Sequence, residues 1–119
     1  CKKIIVLENN PDLFKKLKIN INKLNIKNLK AINCLYDDGY TDESPYDLIF
    51  IDNPIYKISD RIKNQLNPRS GKIIMIKKFN NFLSKAYKIT KNNDNYSNQF
   101  LFDVFTSYEL LKKEKEFIF

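Results

Sequence analysis

The sequence predicts a single α/β domain whose mostly parallel sheet ends in an antiparallel strand pair. Short apolar runs rich in β-branched residues recur along the first two-thirds of the chain, as is typical of buried strands. Amphipathic helical patterns separate these runs, and strands that alternate with helices form parallel sheets. After residue 79, two strand-like patterns follow each other with only a polar turn between them. The length of 119 residues suffices for one domain but not for two.

The chain opens with a predicted strand and a predicted helix. Residues Ile4–Leu7 form an apolar run that indicates a strand covered on both faces. Asn10 is a suitable helix cap, and Pro11 suits the first helical position. The helix is predicted over residues 11–24, with a left-handed stop at Asn25. Its apolar side chains share one face and predict a core-facing stripe, which consists of Leu13, Phe14, Leu17, Ile21 and Leu24.

The rest of the chain continues this alternation and then changes pattern. The predicted elements are a strand over residues 29–35, a polar loop over 36–45, a strand over 46–52, a turn over 52–54, a short helix over 59–66, a strand over 72–78, two strands over 85–90 and 100–105, and a charged helical tail over 109–116 with an apolar end at 117–119. The chain therefore divides into a parallel part (1–78), a strand pair (84–105) and a charged tail (106–119).

Composition excludes several classes of function. The net charge is +7, but the 19 Lys and 2 Arg are spread along the chain without an arginine and aromatic cluster, so we expect no nucleic-acid partner. Apolar runs of four residues cannot span a bilayer, so we expect no membrane partner. The absence of His excludes histidine-based catalysis, and two Cys make no zinc site, so we expect no metal and a reducing cytoplasm.

Acidic residues follow three of the predicted strands. Glu8 follows the first strand, Asp37 and Asp38 follow the second, and Asp52 ends the third. Ligands of open α/β sheets bind at the carboxyl ends of the strands. Glu8 has two oxygens that can accept from two ribose hydroxyls, and an aspartate can accept from an amine such as that of adenine. Taken singly, each residue is also consistent with a solvated strand end or an ordinary Asp-Gly turn.

The chain resembles the protein-L-isoaspartate O-methyltransferases, which use S-adenosylmethionine. The stretches that carry the resemblance are IIVLENNPDL at 4–13, DDGY at 37–40, ESPYDLIFI at 43–51, QLNPRSGKIIMI at 65–76, YKITKNND at 87–94 and FLFDV at 100–104. The resemblance implies that Glu8 holds the cofactor ribose and that Asp38 and Gly39 match the loop that faces the adenine. It also implies substrates that are damaged proteins with isoaspartyl residues. It assigns no catalytic residue to this chain.

The chain departs from this family at its glycine-rich, methionine-binding loop. That loop lies upstream of the position matched by Glu8, and this chain has only two glycines, Gly39 and Gly71. The resemblance thus implies an incomplete Rossmann-like sheet that lacks its first strand, which would lie between the strands near residues 3–8 and 46–52. We expect a C-terminal part of a longer protein, or a remnant of one. We expect this part to be inactive alone and to have its own N-terminal part as a partner.

Two further stretches and the ending also depart from the family pattern. The family's Val-Thr-Ala-Ala is replaced by residues 51–54, its Pro-Gly-Gly turn by residues 68–71, and its Arg-Phe-Val-Pro-Leu ending by residues 105–110. We expect these differences to affect substrate binding and turnover.

The alternative interpretation is a response-regulator receiver domain, which KKIIVLENNPDL and YDLIFID also resemble. In that interpretation Glu8 and Asn9 hold Mg²⁺, Asp52 accepts a phosphoryl group, and Lys77 or Lys78 contacts it. Asn9 weakens the metal pair because Mg²⁺ prefers carboxylates. The predicted β pair after residue 79 also replaces the helix, strand and helix that a receiver needs.

Overall fold

The computed structural model describes residues 2–105, which form two sheets and two helices. The tail over 106–119, with its predicted helix and apolar end, lies outside the described residues, as does Cys1. The elements are β1 (Ile4–Leu7), α1 (Pro11–Lys23), β2 (Leu29–Ile32), β3 (Leu48–Ile55), α2 (Asp60–Lys63), β4 (Lys72–Lys78), β5 (Ser84–Asn92) and β6 (Asn95–Val104). Two 3-10 turns, Tyr36–Asp38 and Thr41–Glu43, occupy the loop between β2 and β3.

The strand directions confirm the predicted mixture of parallel and antiparallel pairing. β1 and β2 form a parallel two-stranded sheet. The second sheet has the order β3-β4-β5-β6, in which β3 and β4 are parallel and the later pairs are antiparallel. Within residues 2–105, no ladder joins β1 to β3. This break lies where the sequence predicts the sheet to be incomplete.

The core lies on one face of the four-stranded sheet, under α2. Alternate residues of β4 point to this face, so Ile73 and Met75 are buried while their neighbours are partly exposed. α2 and the segments beside it cover them with apolar side chains. The core residues are Ile55, Ile58, Ile62, Leu66, Ile73, Met75 and Ile89. Full burial of a side chain such as Leu66 or Ile73 contributes about 1.5–3 kcal/mol.

The predicted burial of β1 and α1 is wrong. Ile4 is 37% exposed, and the rest of β1 is only half-buried. α1 contains no buried residue, and Leu13 and Leu24 of its apolar stripe are 51% and 70% exposed. The physical reason is that, within the described part, α1 packs mainly against β2 of the small β1–β2 sheet, which leaves much of the stripe uncovered.

The ends of α1 agree with the predicted capping. The Asn10 side chain accepts hydrogen bonds from the backbone N–H groups of Asp12 and Leu13, at 3.0 and 3.2 Å. Pro11 occupies the first turn, where its missing N–H costs nothing. Asn25 has a φ of 53°, the left-handed backbone expected after the helix. These local signals placed the helix correctly because they act without tertiary contacts.

Several predicted boundaries are corrected by the structure. β2 ends at Ile32 rather than 35, because β1, its only partner among the described strands, ends at Leu7. β3 does not turn at 52–54 but continues to Ile55 through a register irregularity that accommodates Pro54. α2 covers one turn instead of residues 59–66, because Leu66 leaves the helix to bridge Tyr46.

The terminal strand pair is longer than predicted. β5 and β6 run from residue 84 to 104 and are joined at Asn93, whose φ of 57° suits a tight turn. The polar turn predicted between these strands is thus reduced to residues 93 and 94, and its flanks belong to β5 and β6. The polar side chains in the first half of β6 are exposed, because a ladder forms through the backbone and needs no apolar side chains.

Candidate functional site

Glu8 lies at the carboxyl end of β1, as predicted. Its backbone N–H donates to the Ile32 carbonyl at 3.0 Å, which extends the β1–β2 ladder by one bond. One of its carboxylate oxygens, Oε1, accepts from the Asn10 N–H at 3.0 Å. This bond orients the side chain beside the first turn of α1. A carboxylate accepts about four hydrogen bonds, so Glu8 retains capacity for the hydroxyls of a ligand.

Asp38 and Gly39 end the first 3-10 turn after β2. Because β1 and β2 are parallel, this loop leaves the sheet at the same edge as Glu8. The Gly39 backbone has φ 63° and ψ −153°, a region that only glycine adopts readily. The chain therefore makes a sharp change of direction at Gly39, as the Asp-Gly pattern predicts.

Gln65, which the sequence did not single out, binds the backbone of this loop through its side-chain amide. Its side chain is buried, Oε1 accepts from the Tyr40 N–H at 3.0 Å, and Nε2 donates to the Asp38 carbonyl at 2.9 Å. A Cβ built on Gly39 would lie 2.5 Å from the amide of Gln65. The amide thus contacts the loop backbone closely on both sides of Gly39. Gln65 belongs to the QLNPRSG stretch quoted for the family resemblance. No local sequence pattern indicates its contact with Gly39, which is 26 residues away.

The start of α2 also holds the loop. Ser59 caps α2 by accepting from the Ile62 N–H at 3.3 Å, and its hydroxyl donates to the Asp37 carbonyl at 2.8 Å. Arg61 donates to the Asp38 carboxylate at 2.5 Å. Both side chains of that ion pair are largely exposed, so the pair contributes about 0–1 kcal/mol and can open at little cost.

An open cleft of about 540 Å³ lies between this loop and α2. Its lining residues are Asp37, Asp38, Lys57, Ile58, Ser59, Asp60 and Arg61. The cleft therefore offers space beside Asp38, which is the residue predicted to face an adenine.

Two titratable side chains that donate to the loop backbone have raised pKa values. Burial, and then the nearby charge of Asp38, raises the pKa of the Cys34 thiol, which donates to the Gly39 carbonyl at 3.8 Å. Burial also raises the pKa of Tyr46, whose hydroxyl donates to the Tyr40 carbonyl at 2.5 Å. Both groups favour their neutral forms and serve as hydrogen-bond donors to the loop backbone.

The structure does not bring all predicted acids together. Asp52 is exposed within β3, in the other sheet, and does not end the strand. No hydrogen bond or ion pair joins Glu8 to Asp38 in the part of the chain that the structure describes. Glu8 and the Asp38–Gly39 loop share the edge of β1 and β2, whereas Asp52 belongs elsewhere. Among residues 2–105, no group of three acids and cysteines is arranged to hold a metal ion.

Comparisons with known proteins agree with this arrangement. The model of the family described as protein-L-isoaspartate(D-aspartate) O-methyltransferase matches residues 1–105. The chain belongs to this family. A solved structure titled protein-L-isoaspartate O-methyltransferase is similar, with a TM-score of 0.79 and 19% sequence identity. The similar region covers 86% of this chain and 32% of the solved one, so this chain spans about a third of its length. No curated protein sequence matches the chain.

Family membership decides between the two sequence interpretations. The resemblance to the isoaspartyl methyltransferases is confirmed, and the fold is similar to that of the solved structure. Nothing supports the receiver interpretation with Asp52 as phosphoacceptor.

Neither α1 nor α2 has the length and apolar composition needed to cross a membrane.

The side chains present suit one end of the family's cofactor, S-adenosylmethionine. Glu8 has acceptor capacity for ribose hydroxyls, and Asp38 lies at a cleft with space for a base. Both glycines of the given sequence, Gly39 and Gly71, follow Glu8. Among the residues described, Glu8 and Asp38 are therefore the ones that would hold the nucleoside of this cofactor.

Proposed function

We propose that this chain supplies the nucleoside-binding edge of an S-adenosylmethionine-dependent methyltransferase that acts on isoaspartyl residues of proteins. Glu8 accepts from the two ribose hydroxyls, and Asp38 accepts from the adenine amine after Arg61 moves aside. Gly39 lets the loop turn sharply at this edge. No side chain of this chain is assigned a catalytic role.

The observation that carries the proposal is the parallel pairing of β1 with β2. It supports a common position for Glu8 and the Asp38–Gly39 loop at one edge of the sheet, with the Glu8 N–H bonded to Ile32. Gln65 supports the proposal further, because two hydrogen bonds hold the loop backbone in one conformation. A preorganised loop binds a ligand without an added ordering cost.

The proposed reaction places few chemical demands on the protein. The cofactor supplies an already activated methyl group, and the isoaspartyl carboxylate is the nucleophile. Catalysis then rests on positioning the two groups. We propose that the 119 residues given bind the nucleoside but transfer no methyl group by themselves, since no glycine-rich loop for the methionine end lies among them.

The direct test is isothermal titration calorimetry of the chain with S-adenosylhomocysteine. We expect binding, and we expect Glu8→Ala to weaken it by about 10- to 150-fold, because charge-assisted hydrogen bonds to the ribose contribute about 1.5–3 kcal/mol. Asp94→Ala is the matched control, since it removes an exposed carboxylate from the distant β5–β6 turn. An unchanged dissociation constant in Glu8→Ala would refute the ribose role.

Activity is tested separately from binding. Incubation of the chain with labelled S-adenosylmethionine and an isoaspartyl peptide should yield no methyl ester. Methyl transfer by the chain alone would overturn the proposed inactivity while leaving the cofactor edge intact. Absence of any binding to S-adenosylhomocysteine would instead overturn the cofactor edge.

A further inference from the structure

The turn between β4 and β5 exposes aromatic rings at one end of the four-stranded sheet. Phe79 and Phe82 lie in this five-residue turn, 79–83, and are 46% and 60% exposed. Phe105, which is 75% exposed, lies at the same end, since Val104 pairs with Ser84 directly after the turn. Exposed apolar groups that cluster in this way mark interaction sites.

Hydrogen bonds hold the backbone of this turn in a defined conformation. The N–H groups of Phe79 and Asn80 donate to the Leu83 carbonyl, at 3.1 and 3.2 Å. The Asn80 side chain accepts from the N–H groups of Phe82 and Leu83, both at 2.8 Å. The two exposed rings are therefore presented by an ordered turn.

Lysine side chains lie beside these rings. Lys77 and Lys85 face each other in the β4–β5 ladder, and their ammonium groups lie 5.5 and 5.2 Å from the centroid of the Phe79 ring. Lys78, the next residue of β4, lies 5.7 Å from the Tyr56 ring. Asp103, opposite Lys85, is the one carboxylate paired with this group in the strand register. The end of the hairpin thus combines apolar rings with positive charge.

This combination fits the surface of an anionic membrane. The headgroup region accepts aromatic rings, and lysines next to them attract anionic lipids. A single nucleic acid strand requires a charged groove along which bases stack. The open cleft beside α2 does not lie here, and the two arginines are elsewhere, Arg61 in α2 and Arg69 before β4. A projecting turn with flanking lysines therefore favours lipid.

We propose that the β4–β5 turn docks this chain on anionic lipid bilayers. Phe79 and Phe82 enter the headgroup region, and Lys77 and Lys85 contact the anionic headgroups. The sequence predicts no membrane partner because no apolar run can span a bilayer, but contact with the surface requires no span. The inference does not depend on cofactor binding.

The test is co-sedimentation of the full chain with phosphatidylcholine vesicles that contain or lack phosphatidylserine. We expect binding to the anionic vesicles only, and a loss of binding at high salt. Lys77→Gln/Lys85→Gln should lower the partition coefficient by about 30-fold, since each lysine near an anionic surface contributes about five-fold. Phe79→Ser/Phe82→Ser should lower it by about tenfold or more.

Two matched controls separate this turn from general properties of the chain. Phe50→Ser removes a ring of similar exposure, 66%, from the middle of β3, and Lys15→Gln/Lys16→Gln removes two charges from α1. Both should leave vesicle binding unchanged. Equal binding to neutral vesicles, or equal losses in the controls, would overturn the proposal. Binding to a single-stranded oligonucleotide through the same residues, without vesicle binding, would assign the turn to nucleic acid instead.

Discussion

At the scale of single residues, the contact between Gly39 and Gln65 determines the shape of the candidate cofactor loop. Gly39→Ala would force alanine into a backbone conformation that it adopts unfavourably, and it would place a Cβ 2.5 Å from the Gln65 amide. We expect this variant to lose about 1–3 kcal/mol of unfolding free energy from backbone strain alone. Gln65→Ala should lose about 1–3 kcal/mol because it leaves two loop groups without their partner.

Urea denaturation of the two single variants and the double variant measures this contact. The double variant should lose less than the sum of the singles, because the clash is absent once Gln65 is truncated. Ser70→Ala, in an exposed loop, is the control and should change stability by less than about 0.5 kcal/mol. Strict additivity would show that Gln65 does not constrain Gly39.

The Cys34 thiol provides a pH-dependent readout of the same loop. Burial and the charge of Asp38 raise its pKa above the usual 9.0, so the folded chain holds this proton more tightly than the unfolded chain. Its contribution to stability is present below the unfolded pKa and is lost as pH rises through the folded pKa. In a Cys1→Ser background, alkylation of the folded chain should reach its half-maximal rate at a higher pH than in urea.

Asp38→Asn tests the electrostatic part of this shift. The variant removes the nearby negative charge, so the alkylation profile of Cys34 should move toward lower pH while burial remains. Asp94→Asn, at the far end of the sheet, should leave the profile unchanged. If folded and denatured chains react with the same pH profile, the thiol is not desolvated.

At the scale of elements, the two sheets differ in how well they are covered. Ile73 of β4 has no exposed surface, so Ile73→Ala should cost about 2–5 kcal/mol. Leu13 of α1 is 51% exposed, and Leu13→Ala should cost less than about 1 kcal/mol, although both residues belong to apolar stripes. Thermal or urea unfolding measures both. A large loss in Leu13→Ala would mean that α1 is covered in solution by something beyond residues 2–105.

At the scale of the whole molecule, the described strands form two separate sheets, and no ladder joins β1 to β3. Each of these strands pairs on one side only in the described part. An ion pair between Lys3 and Glu43 connects the start of β1 to the loop before β3. The other oxygen of Glu43 is buried without a hydrogen-bond partner there. Strand edges without a neighbouring strand and a buried oxygen without a hydrogen bond both indicate that polar groups of this region lack hydrogen-bond partners in the described part.

This division predicts unequal local stability. Amide hydrogen exchange should be slowest in β4 and β5, which are paired on both sides and border the core. Exchange in β1 and β2 should be faster, because that sheet has two strands and no fully buried side chain. Exchange measured by mass spectrometry on peptides from each strand checks this order. Equal protection in β1 and β4 would show that the two sheets open as one unit.

The sequence by itself determined the order and type of the elements and the ends of α1. Asn10, Pro11 and Asn25 act through their own backbone neighbours, so their effects can be inferred without tertiary contacts. The continuous apolar run over residues 73–76 likewise located β4, whose bounds match the prediction, 72–78. Glu8 and the Asp38–Gly39 loop were placed at one edge because parallel strands end on the same side.

Only the tertiary structure decided which apolar faces are buried and which residues hold the loop. The stripe of α1 and the run in β4 are both apolar in sequence. Burial depends on what lies opposite each of them, and of the two only β4 is covered by α2. Gln65 and Arg61 contact the loop from more than 20 residues away, so no local pattern identifies them. Asp52 was predicted to end its strand, but the pairing of β3 with β4 extends to Ile55. Asp52 therefore lies within the strand and not at its end. Local signals therefore define elements, whereas packing between distant segments defines the core and the site.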